Sequence, residues 1–115
     1  MIGQGLWNAW TPTRTGWTDV GAPTVTGRYC QIGNTVFFQV KVVPATTVAT
    51  VAGTSYVALP VPAGVSGLAG DGSMENLTTL IAIGMCAFDI TNSRAYVPTQ
   101  TATANTLTIG GWYEV

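Results

Sequence analysis

Apolar and polar residues alternate most cleanly along Thr35–Val43. Val36, Phe38, Val40 and Val42 fall on one face of an extended chain, and Phe37, Gln39, Lys41 and Val43 on the other. A period of two is that of a β-strand with one face in a core. Gln39 and Lys41 mark the second face as the wetter one, which makes Phe37 a candidate subunit contact. Upstream, residues 28–32 predict a partner strand. Gly33-Asn34 joins the two as a two-residue turn, in which glycine supplies the positive φ of a type II′ hairpin. Pro44 closes the second strand.

The same reading predicts strands at 54–59, closed by Pro60-Val61-Pro62, and at 78–90, as one or two strands with Gly84 as a bulge. Thr91-Asn92-Ser93 is a turn from which 94–97 returns as a hairpin. A last strand spans 106–115 with Leu107 and Ile109 inward, which would build this end of the chain into a sheet. Residues 63–76, rich in glycine and other small residues, predict a long mobile loop. No helix of useful length is visible, and β-branched and aromatic residues dominate between frequent glycines and prolines. The expected fold is all-β: a single antiparallel β-sandwich or jelly-roll-like domain over 27–115, preceded by an extended N-terminal arm at 1–26. That arm carries Trp7, Trp10 and Trp17 with Pro12 and Pro23, and residues 24–26 predict a short strand. It is too apolar for a solvated tail and is expected to dock, on its own domain or on a neighbour.

Composition sharpens this picture. The 115 residues suit one domain, which buries roughly 65% of its unfolded surface. Charged residues are only 8% of the chain and the net charge is -1, while threonine occurs 19 times. Hydrophobic residues at 47% favour a folded chain over disorder. So few charges protect a monomer poorly against association, so an oligomer is expected. No cluster of Lys or Arg could neutralise phosphates, which argues against nucleic acid as partner. The longest apolar run, at 80–88, is about half the ~20 residues of a membrane-spanning helix. The first seven residues lack the basic start and apolar core of a secretory signal.

Chemistry is scarce. The chain has no histidine, which removes the commonest general base and metal ligand and every Ser-His-Asp or Cys-His arrangement. Asp71, Glu75, Asp89 and Glu114 are the carboxylates available for glycoside hydrolysis. Each has a plainer role: Asp71 and Glu75 in the glycine-rich loop, Asp89 before a turn, Glu114 near the chain end. No phosphate-cradling motif is present, so neither enzymatic activity nor a cofactor or metal site is expected. Cys30 and Cys86 have no metal-type spacing and read as buried free thiols, with a disulfide as the other reading. Asn76-Leu77-Thr78 matches a glycosylation acceptor, without meaning in a bacterial host. Trp7, Trp10, Trp17 and Trp112 fit three roles: packing on their own domain, inter-subunit contact, or stacking on sugar rings.

The hairpin Gly27-Arg28-Tyr29-Cys30-Gln31-Ile32-Gly33-Asn34-Thr35-Val36-Phe37-Phe38-Gln39-Val40 resembles one seen in phage and prophage virion proteins. Trp10-Thr11-Pro12 is similar to a segment that often precedes it. Thr106-Leu107-Thr108-Ile109-Gly110-Gly111-Trp112-Tyr113 is similar to the threonine-rich strand that often ends such modules. The resemblance implies a virion surface β-sandwich module, either the trimeric tip of a tail fibre or a separate protein on the capsid exterior. Tail-fibre modules usually follow a long shaft. With Met1 directly before the module, a capsid decoration (cement) or head-fibre protein is the expected form, a homotrimer docking on the major capsid protein or another virion protein. The alternative is a tail-fibre tip that recognises host surface glycan. Trp7, Trp10, Trp17, Phe37 and Trp112 are the candidate interface or docking residues.

Overall fold

A computed structural model describes residues 6–63 and 70–115. In chain order the strands are β1 (Asn8–Trp10), β2 (Arg14–Thr15), β3 (Thr18–Val20), β4 (Thr24–Ile32), β5 (Thr35–Val43), β6 (Thr47–Thr50) and β7 (Tyr56–Ala58). There follow β8 (Gly70–Asn76), β9 (Ile81–Met85), β10 (Ala87–Asp89), β11 (Arg94–Tyr96), β12 (Gln100–Thr103) and β13 (Leu107–Glu114). They form a six-stranded sheet ordered β1-β4-β5-β13-β8-β9, a four-stranded sheet β10-β11-β7-β2 and a three-stranded sheet β12-β6-β3. The fold is an all-β antiparallel sandwich, as the alternating pattern predicts.

The β4–β5 hairpin turns at Gly33 with φ +60°. Ile32 pairs with Thr35 across it, leaving a two-residue loop. Register then runs unbroken to Thr24 opposite Val43, so the short strand expected near 24–26 is the start of one nine-residue strand. Val36, Phe38, Val40 and Val42 are at most 1% exposed. From β13 they meet Leu107, Ile109 and Tyr113, and from β8 they meet Met74. Val48, Val57, Leu59, Ala95 and Val97 close the core from the facing layer.

The two smaller sheets are one layer with a crease. Three chain segments run through both in the same order: β2 into β3, β7 preceded by β6, and β11 into β12. Each breaks along a common line, at Gly16 (φ +77°), at Gly53 (φ +80°) and at Pro98. Ladder hydrogen bonds are lost at such a line, and buried hydroxyls replace them. Ser55, 0% exposed, donates to the Gly16 carbonyl at 2.7 Å and accepts from the Val51 amide at 2.9 Å. Thr50, 2% exposed, donates to the Pro98 carbonyl at 2.7 Å and accepts from the Gln100 amide at 2.9 Å. Among the described residues no buried side-chain polar atom lacks a partner, as a stable interior requires.

Two expectations need correction. Residues 70–76 are not part of a mobile loop. They form β8, which pairs with both β13 and β9; the loop residues 64–69 lie outside the described part. The core alternation is hidden because two of its inward positions are glycine. A Cβ at Gly70 would meet the Phe88 ring at 2.5 Å, and one at Gly72 would meet the Gly110 carbonyl oxygen at 2.7 Å and the Phe88 ring at 3.2 Å. Phe88 supplies from the facing layer the bulk those positions lack, and only Met74 is left to show the period. The second correction concerns 47–50 and 100–103, which pair as β6 and β12 where no strand was expected. In both, threonine and alanine blur the contrast between faces.

The arm folds onto its own domain. β1 extends the six-stranded sheet, β2 the four-stranded and β3 the three-stranded, each as an edge strand. Arg14 and Asp19 brace the turn between β2 and β3 with two parallel hydrogen bonds of 3.0 and 2.9 Å.

Candidate functional site

The outer face of the six-stranded sheet is where the exposed aromatic and charged residues converge. Pairing registers resolve it into rows across the strands. One row is Cys30, Phe37, Trp112 and Asp71. The next is Ala9, Arg28, Gln39, Gly110 and Ser73. The third is Thr26, Lys41, Thr108 and Glu75. Alternation turns those on β5, β8 and β13 outward, because their neighbours along each strand are in the core; Cys30 is only 3% exposed.

These rows frame a hollow of about 730 Å³, with Trp7 and Phe37 toward one end and Lys41 and Glu75 toward the other. Arg28 organises the aromatic end. Its Nε donates to Gln39 Oε1 at 2.9 Å, and its guanidinium carbon sits 4.6 Å from the centre of the Trp7 ring. An exposed stack of this kind contributes about 0.5–1 kcal/mol and fixes the ring's tilt. Trp7 remains 43% exposed and Phe37 39%. Gly110 forms the middle of the floor. A Cβ there would meet nothing closer than the Phe38 carbonyl oxygen at 3.6 Å, and the residue's φ is not positive.

The five candidate residues separate into two groups. Trp7, Phe37 and Trp112 share this outer face. Trp10 and Trp17 pack on their own domain. Trp10 sits edge-on to Tyr29 with ring centres 6.5 Å apart and, with Pro12, covers Gly27. Trp17 donates from Nε1 to the Tyr56 carbonyl at 3.3 Å under the Arg14 guanidinium. Sequence reasoning missed Arg28, Glu75 and Gly110 as members of the face. Arg28 and Gly110 had a usable signal in strand parity; Glu75 did not, because β8 read as a loop.

A second exposed apolar region lies at the β8–β9 hairpin. Leu80 is 80% exposed, Ile81 61% and Met85 64%. Leu80 takes φ +59°, a left-handed conformation that costs a bulky residue about 1–2 kcal/mol.

Asp71 and Glu75 lie on one face of β8, four residues apart, so their backbone positions are about 13 Å apart at strand rise. Paired glycosidase carboxyls stand at about 5–9.5 Å. Asp89 is bound by the Asn92 side chain and backbone amide, which holds its carboxyl below the usual range. No group of three or more His, Cys, Asp or Glu able to hold a metal occurs among the described residues. Cys30 and Cys86 are both free thiols. Burial, with Asp71 adding to it, pushes the Cys86 thiol up to about 11.

No family model, curated protein or solved structure matches the chain.

Proposed function

We propose that the protein is a non-enzymatic structural protein of a phage particle, acting as an oligomer on the capsid exterior in the manner of a decoration or head-fibre protein. The observation that carries the oligomer is the amount of apolar surface left open on a chain with 8% charged residues. Leu80, Ile81 and Met85 are all more than half exposed, and no charged residue lies on β9 to keep its edge from pairing. Support for the particle is the resemblance of the hairpin and closing strand to those of virion surface modules. On a lattice, several weak contacts per oligomer add up only where subunit spacing matches, so such proteins need no deep site. Sedimentation should give a mass that is a multiple of 12.0 kDa, with a trimer expected. Purified protein should bind mature capsids of its own phage. A 12.0 kDa species at micromolar concentration, or capsids left bare, would remove this reading.

A further inference from the structure

We infer that the hollow on the outer face of the six-stranded sheet is a binding site for an oligosaccharide of uncharged hexose or N-acetylhexosamine units, with Trp7 as the stacking platform. Three observations lead there. The first is Gly110. Glycine in the middle of a central strand weakens it and commonly marks a place where a ligand approaches the backbone. Its neighbour Gly111 has an internal reason to be glycine, since a Cβ there would collide with the Asp71 carbonyl oxygen. Gly110 has none: its φ is not positive and there is room for a side chain. The open floor is a property of the face that the fold does not demand.

The second observation is the wall chemistry. Trp7 offers a half-exposed ring already held by Arg28, and Gln39, Lys41 and Glu75 surround the floor with donors and acceptors. Sugar hydroxyls both donate and accept, so they can satisfy a mixed set of this kind. C–H faces of pyranose rings suit an aromatic plate. With two cations against one carboxylate, the lining gives no strong preference for a charged ligand.

The third observation separates a saccharide from a second copy of the chain. A protein partner would have to desolvate Arg28, Lys41 and Glu75. The exposed apolar residues of the β8–β9 hairpin, Leu80, Ile81 and Met85, carry nothing to pair with them. The volume lies within the roughly 300–1,000 Å³ of small-molecule clefts. The site is expected whichever end of a particle carries the protein.

The test uses the full chain. Maltotetraose, cellotetraose and tetra-N-acetylchitotetraose are titrated against tryptophan fluorescence, and labelled protein is applied to a printed array of bacterial oligosaccharides. Wild-type protein should bind at least one of these saturably. Gly110→Val should weaken that binding about tenfold or more while melting no lower than wild type, since valine favours a strand. Gly110→Ser fills less space and keeps the test open if valine unfolds the chain. Trp7→Ala, at the rim, should weaken binding as well. Capsid binding should be the same in both Gly110 variants, so a failure here leaves the particle reading standing. No saccharide bound by wild type, or equal binding by the Gly110 variants, overturns the site. A changed solution mass in Gly110→Val without glycan binding would also overturn it and give the face to a second copy.

Discussion

Tyr113 shows how one residue couples the two layers. Its ring is fully buried in the core beside Phe38 and Phe88. Its hydroxyl donates to the Val61 carbonyl at 2.6 Å and accepts from the Val61 amide at 2.9 Å. Tyr113→Phe leaves both backbone groups short of a partner and should cost about 1–3 kcal/mol in chemical denaturation. The two adjacent glycines make a sharper comparison. Gly111→Ala drives a methyl group into the backbone of β8 and should cost roughly 3 kcal/mol. Gly110→Ala meets only ordinary contacts and should raise stability by about 0.5–1 kcal/mol. The two glycines look alike in sequence; what separates them is which face each one serves, and that follows from the period of β13 once Ile109 is placed inside.

At the scale of elements, the crease in the second layer is the least legible part of the sequence. Thr50 and Ser55 look like ordinary surface hydroxyls, yet both are buried and each closes two backbone groups across a break. Ser55→Ala should therefore destabilise by about 1–3 kcal/mol, far more than a surface serine would. The β4–β5 hairpin lies at the other extreme. Its turn, face assignment and register were all readable, because the glycine turn and the strict alternation act locally and agree. β8 failed as a strand prediction because Phe88, distant in sequence, fills the space its glycines leave. The candidate face was half legible for the same reason: Phe37, Gln39 and Lys41 stood out on β5, while Glu75 stood on a strand that could not be recognised. At the β8–β9 hairpin, Leu80→Asn should stabilise the monomer by about 1 kcal/mol by relieving the left-handed leucine.

For the whole molecule, one buried and one partly buried acid set an alkaline limit. Burial pushes the Cys86 thiol up to about 11 and the Tyr113 hydroxyl up to about 12. Both remain protonated in the fold after the unfolded chain has begun to lose those protons. The stabilisation is whole below the ordinary values of 9.0 and 10.0 and drains away as pH rises toward 11 and 12. Melting temperature should therefore fall above about pH 9, and iodoacetamide at pH 8 should label Cys86 far more slowly than in urea-unfolded protein. Equal labelling in both states would contradict the burial described. The position of β13 has a temporal consequence as well. It is the strand between β5 and β8, so those two halves of the six-stranded sheet have no common neighbour until Leu107–Glu114 has been made and has left the ribosome. The edges of β5 and β8 that β13 will join must wait unpaired during synthesis. A ribosome that stalls before Leu107 therefore releases two unjoined half-sheets, the species most exposed to aggregation and to proteases.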